Sequence, residues 1–185
     1  MLVGQLLGLV GVFLLVLMFQ VNNRQGMLRI QILLCLVWSA HYMAMGAFTG
    51  SGLIFLGALR SYAFDKFRQH EGVFIVFVVA FAIATLVTWK DWTSIMALIG
   101  MLLATVAMWQ ENPRHIRLIS LTIVPFWLTY NILNGTYFGA TADLITLTSL
   151  VVAIVRFDIP PQAWLHFRPG RSIETIEAQS DKLIV

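Results

Sequence analysis

Within the stretch "VWSAHYMAMGAFTG", Trp38, His41, Tyr42 and Met45 fall at i, i+3, i+4 and i+7, the spacing of one helical face. A second stretch, "FWLTYNILNGTYFG", sets Trp127, Tyr130, Asn131 and Asn134 at the same spacing. Indoles stack on apolar ring faces, and tyrosine and asparagine hydrogen-bond hydroxyl or amide groups, a set that suits a small uncharged solute. His41 adds a second chemistry, because an imidazole titrates near neutral pH and can relay a proton. Asp143, the only acidic residue well inside an apolar run, is a candidate proton carrier or a partner for an arginine or histidine. The candidate substrate-binding residues are therefore Trp38, His41, Tyr42, Trp127, Tyr130, Asn131, Asn134 and Asp143. A structural role competes at each: tryptophan and asparagine hold helices together, a neutral histidine satisfies one internal hydrogen bond, and Asp143 can reach an interface.

These residues sit in apolar runs that must position them. The chain has 185 residues, of which 59% are hydrophobic and 11% charged, and its mean hydropathy of +0.83 is far from that of soluble domains. Runs of roughly 20 apolar residues cross a hydrocarbon layer of about 30 Å as helices. Seven such runs are expected, Leu2 to Gln20, Leu28 to Gly46, Gly50 to Phe64, Gly72 to Trp89, Trp92 to Gln110, Ile116 to Leu133 and Tyr137 to Phe157. The first lacks a basic leader and a small-residue cleavage site, so it reads as a retained helix. The single cysteine, Cys35, excludes an intramolecular disulfide and a cysteine-based metal site. No cofactor and no metal are expected.

The charges sit in alternate loops. Arg24 and Arg29 border the first, Lys66 and Arg68 the third, Arg114 and Arg117 the fifth, and Arg156, Arg168, Arg171 and Lys182 follow the last run. The second and sixth loops carry no lysine or arginine, and the fourth has only Lys90 beside Asp91. The positive-inside bias then puts the N-terminus outside and the C-terminus in the cytoplasm. Arg60 and Arg156, near helix ends on that side, read as side chains that snorkel to the interface. A net charge of +3 with no basic cluster gives no reason to expect a nucleic-acid partner; the expected partners are the bilayer and a small solute.

Aligning the chain on itself exposes an internal repeat. Phe19, Gln20, Asn22 and Arg24 match Trp109, Gln110, Asn112 and Arg114 at a shift of 90 residues, and Trp38 through Gly50 match Trp127 through Gly139 at 89. Arg60 and Arg156 align at 96, where two extra helical turns would preserve their facing. Three crossings invert a chain, so two units in the same orientation need a fourth helix between them, and "GVFIVFVVAFAIATLVTW" supplies it. The fold expected is an all-α polytopic membrane protein of seven transmembrane helices, arranged three plus one plus three as parallel triple-helix-bundle repeats. Its divisions are residues 1–70, a linker helix over 71–90, residues 91–158 and a cytoplasmic tail over 159–185. Pro125 should kink or hinge the sixth helix.

The ordered set "FQ-x-N-x-R", "W-x-x-H-Y-x-x-x-G", "LGALRSY" and "VAIVRF" resembles the YgjV family of bacterial inner membrane proteins. More distantly, the three-plus-one-plus-three plan and "FWLTYNILNG" are similar to SWEET and PQ-loop transporters. That resemblance implies a small-solute carrier working by alternating access. The sequence departs from it where a Pro-Gln pair belongs, having Phe19-Gln20 and Trp109-Gln110 instead, and Pro161-Gln162 lies in the tail.

Three function classes follow. A carrier requires a central cavity lined from both repeats. A non-transporting receptor or assembly partner on the same scaffold requires a filled axis. An enzyme is not expected, because no HExxH, G-x-S-x-G or paired membrane aspartates occur.

Overall fold

Helix starts in this chain are set by polar caps that lie outside the apolar runs. The Asn23 side chain accepts the Gly26 N–H at 2.6 Å while its carbonyl accepts the Met27 N–H, so the second helix begins at Arg24, before its hydrocarbon-length portion. Asn112 does the same for the sixth, its side chain accepting the Arg114 N–H at 2.9 Å and its carbonyl the Ile116 N–H, with Pro113 at the first helical position. A computed structural model describes residues 2–44, 48–67, 70–89, 91–135 and 137–159. Met45, Gly46, Arg68, Lys90 and the tail beyond Ile159, including Arg168, Arg171 and Lys182, lie outside the described residues.

The described residues are all-helical and form seven helices: α1 Leu2–Gln20, α2 Arg24–Ala44, α3 Phe48–Lys66, α4 Glu71–Val87, α5 Thr93–Trp109, α6 Pro113–Leu133 and α7 Tyr137–Phe157. α2, α6 and the Phe138–Phe157 portion of α7 are long and apolar enough to cross a membrane, and Gly4–Gln20, α4 and α5 are apolar but shorter. α6 runs without interruption through Pro125. Its end at Leu133 is followed by the cap Asn134 and by Gly135, whose φ of +68° is the left-handed conformation glycine adopts without penalty.

Large apolar residues cover the exterior, and a set of polar residues is buried among the apolar ones. Phe13, Leu33, Phe55, Val76, Leu86, Leu118, Leu144 and Val152 face outward, while Ser39, Ser51, Arg60, Thr105, Arg117, Ser120, Asn131 and Ser149 are buried. An apolar exterior with hydrogen-bonded polar groups inside is the arrangement hydrocarbon solvent demands. Ser39 and Ser51 illustrate it: each hydroxyl donates to the other residue's carbonyl, at 3.0 and 2.9 Å, and joins α2 to α3.

Six helices form a ring. α1 packs on α2, α2 on α3, α3 on α5, α5 on α6, α6 on α7, and α7 back on α1, while α4 lies outside against α5 and α3. The boundaries of the second half trail the first by a constant 89 residues: Gln20 and Trp109 end α1 and α5, Arg24 and Pro113 start α2 and α6, Ala44 and Leu133 end them, and Phe48 and Tyr137 start α3 and α7. The caps Asn23 and Asn112 keep that spacing, so the 90-residue match of Asn22 to Asn112 is one residue out of step with the helices.

Packing follows the same spacing. A methyl group on Gly11 would lie 2.8 Å from Trp38 Nε1, and one on Gly100 would lie 2.8 Å from Trp127 Nε1. Each indole therefore lies against the neighbouring helix where that helix has no side chain. At the α3/α5 seam Arg60 donates to Thr105 at 3.2 Å, and at the corresponding α7/α1 seam Ser149 donates to the Val16 carbonyl at 3.3 Å. Ser149, and not Arg156, thus occupies the position of Arg60. The expectation of a common facing for the two arginines is corrected: Arg60 is buried, with 1% of its surface exposed, whereas Arg156 is exposed beside Phe157.

Candidate functional site

Between the helices of the ring lies a partly open cavity of about 190 Å³, smaller than the roughly 300–1,000 Å³ of pockets for drug-sized ligands. α2 lines it with Gln31, Leu34, Cys35, Trp38 and Tyr42, and α6 with Ser120, Ile123, Val124, Trp127 and Asn131. Each member of the second set lies 89 residues after its counterpart in the first. The correspondence extends to Leu15 and Ala104, Phe19 and Met108, and Ile54 and Asp143. α4 contributes none of the lining.

Of the residues singled out from the sequence, Trp38, Tyr42, Trp127, Asn131 and Asp143 border this cavity. The Asn131 amide donates to Asp143 Oδ2 at 2.8 Å. That bond depends on Gly139, one turn before Asp143 on α7. A methyl there would lie 2.6 Å from Asn131 Oδ1 and 2.7 Å from its Cγ, so only a bare backbone lets the buried amide lie flat against α7. Tyr42 packs over Gly50 in the first half, the equivalent glycine. Its phenol stands where the second half has the amide of Asn131.

His41, Tyr130 and Asn134 are placed outside the cavity lining. His41 is buried and points to α1, its Nδ1–H donating to the Gly4 carbonyl at 2.6 Å, with the rings of Trp38 and Phe138 centred 5.1 and 5.6 Å away. This bond assigns the proton to Nδ1, because a carbonyl can only accept. Tyr130 packs edge-on to Trp127 at 5.7 Å. Asn134 donates to the Tyr130 carbonyl at 2.9 Å and to Thr93 Oγ1 at 3.2 Å, and Thr93 in turn donates to the Asp91 carboxylate, so Asn134 joins α6 to the start of α5.

Two charged residues read from the sequence as interfacial are internal. Arg60 borders the cavity. Arg117, 1% exposed, clasps Asp158 with Nε–H at 2.9 Å and Nη2 at 2.5 Å, and Nη2 also donates to Asn22 Oδ1 at 3.1 Å. Nearby, Arg24 donates to the Gln110 carbonyl at 2.9 Å and the Phe64 carbonyl at 3.5 Å. Asn22 and Arg24 from the first half and Gln110 and Arg117 from the second thereby tie the ring together at one end. Hydropathy reads a charge near the end of an apolar run as a loop charge; the partners that draw these two inward lie 41 residues and 45 residues away.

The wall chemistry is two indoles, a phenol, amides, hydroxyls, a thiol, one guanidinium and one carboxylate set among apolar side chains. It can stack against a small apolar face and hydrogen-bond polar substituents. Among the described residues, no cluster of three or more histidine, cysteine or acidic side chains has the makings of a metal site. No curated protein and no solved structure matches the chain. The family model of a bacterial inner membrane protein family, YgjV, matches residues 2–159, and the chain, with its apolar helical exterior, belongs to that family.

Proposed function

We propose that this inner membrane protein is a polytopic, alternating-access carrier that passes a small solute through the cavity between two repeated halves. The observation that carries the proposal is the matched lining, with α2 and α6 facing one another across the cavity through five side chains each at a single spacing. A binding site on the pseudo-twofold axis of two similar halves is the arrangement by which rocking of one half on the other exposes the site to each side in turn. The cross-half contacts described above, Arg117 with Asn22 and Arg24 with Gln110, form a closure at the arginine-bearing end. By the positive-inside bias that end is cytoplasmic and the N-terminus is outside. An open cavity supports a carrier over a receptor with a filled axis.

The test is uptake into proteoliposomes across a panel of small solutes, with Asn131, Asp143, His41 and Asn134 each changed to alanine. Saturable uptake of one solute class is expected, abolished by the changes at Asn131 and Asp143 and reduced less by those at His41 and Asn134. Folded protein that moves no member of the panel would remove the carrier reading.

A further inference from the structure

The two halves match in framework and differ in charge. Asp143 stands where the first half has Ile54, and Arg60 where the second has Ser149, although both positions belong to the repeated pattern. Helix packing alone does not call for a guanidinium at Arg60, since a serine serves at the equivalent seam.

Two buried arginines permit a direct comparison. Arg117 has a carboxylate in its fork. Arg60, equally buried, meets among the described residues only the hydroxyls of Thr105 at 3.2 Å and Ser61 at 3.5 Å, and its Nε–H is buried without a partner. The Phe81 ring, centred 5.8 Å away, is a further contact that favours a cation, and it is not a counter-ion. Asp143, the carboxylate on the cavity wall, lies about six residues nearer the other end of its helix than Arg60 does in the helix register, or about 9 Å of helix rise. A buried cation without a counter-ion is costly, and the cavity that Arg60 borders is where a counter-ion can arrive.

We infer that the solute carries an oxyanion group, a carboxylate or a phosphate, and that Arg60, held in place by its bond to Thr105, is the group that takes it. This rests on the carrier reading of the cavity and makes its small solute an acidic one, in place of the uncharged solute that the spacing of the aromatic and amide residues suggests. The guanidinium offers paired N–H donors in a plane, the geometry that either oxyanion accepts. The volume of about 190 Å³ suits a small molecule, with the acid group and a short remainder inside the cavity. Polar substituents on that remainder are within the reach of Gln31, Ser120 and the Asn131–Asp143 pair.

The experiment uses the full chain in nanodiscs and reads tryptophan fluorescence, since Trp38 and Trp127 border the cavity, during titration with lactate, glycerol 3-phosphate, inorganic phosphate, glycerol and xylitol. A saturable response to lactate or to the phosphates is expected, with none to glycerol or xylitol, and the arm that responds separates carboxylate from phosphate. Arg60→Gln should weaken that response about tenfold or more. Arg60→Lys retains the charge without the fork, so an intermediate loss is expected and supplies a second test if the glutamine variant fails to fold. Saturation by the uncharged probes alone, no response to any acid, or unchanged acid binding in either Arg60 variant would overturn the inference. Proteoliposome flux separates the two levels: flux of uncharged solutes only leaves the carrier standing and removes the oxyanion group, whereas Arg60-dependent acid binding without flux does the opposite.

Discussion

Replacing Gly139 with alanine should cost the protein about as much as a core overpacking mutation, although the change adds only one methyl group. That methyl would lie 2.6, 2.7 and 2.8 Å from Oδ1, Cγ and Nδ2 of Asn131, a residue only 3% exposed. The amide must therefore shift within the bundle, and its 2.8 Å bond to Asp143 is lost. Overpacking costs about 1–3 kcal/mol, and an interhelical hydrogen bond in a membrane contributes about 0.6 kcal/mol on average and up to about 1.7. The expected loss is about 2–4 kcal/mol on those two terms. Unfolding in mixed detergent micelles with increasing dodecyl sulfate, followed by tryptophan fluorescence, measures it. A double-mutant cycle isolates the cause. In an Asn131→Ala background the clashing atoms are gone, so Gly139→Ala should cost little and the cycle should return a coupling of at least about 1 kcal/mol. Additivity of the two changes to within about 0.5 kcal/mol would refute the reasoning.

Four further predictions concern the rest of the bundle. Gly11→Ala and Gly100→Ala place a methyl at the same 2.8 Å from an indole nitrogen, so their unfolding midpoints should fall by similar amounts; a large loss in one and none in the other would contradict equivalent packing of the two halves. Arg117→Ala strands the largely buried Asp158 carboxylate and should cost about 3–5 kcal/mol, with the Arg117→Ala/Asp158→Ala double variant more stable than either single one. The Arg29–Asp65 pair at 3.7 Å, with Arg29 exposed and Asp65 half-buried, should register less than about 1 kcal/mol in the same assay. His41→Gln should lower stability through loss of the Gly4 contact while leaving the pH profile of uptake unchanged, because the imidazole faces α1; a displaced pH profile would restore a proton-relay role.

The helices were legible from hydropathy because hydrocarbon-facing residues dominate every one of them. Where hydropathy misplaced an end, the reason is capping: α2 and α6 start at Arg24 and Pro113, ahead of the expected Leu28 and Ile116, because Asn23 and Asn112 begin the hydrogen-bonded turn in polar sequence. α3, expected from Gly50 to Phe64, runs from Phe48 to Lys66 for a related reason, since its polar last turn contributes nothing to an apolar run. The 89-residue spacing was visible in the second helices, and the structure extends it to the third helices, where Arg60 and Arg156 had drawn the alignment to 96.

The candidate site was legible in part. Trp38, Tyr42, Trp127 and Asn131 follow from helical spacing, and Asp143 from the cost of an acid in an apolar run. Spacing defines one broad face, however, and cannot divide it. His41 and Asn134 share that face but turn toward Gly4 and Thr93, partners supplied by neighbouring helices. Arg60 had a sequence signal, a charge several residues inside the end of an apolar helix, but its direction depends on α5, which brings Thr105 beside it.

The central claim, a cavity that opens alternately to the two sides of the membrane, is tested most directly on the native chain. Cys35 is the only cysteine and borders the cavity. Its modification by a small membrane-impermeant methanethiosulfonate can be followed in right-side-out and in inverted vesicles. The account predicts reaction from both sides, slowed in each case by the transported solute. A thiol that reacts fully after denaturation but from one side only, or from neither, in the folded protein would contradict it.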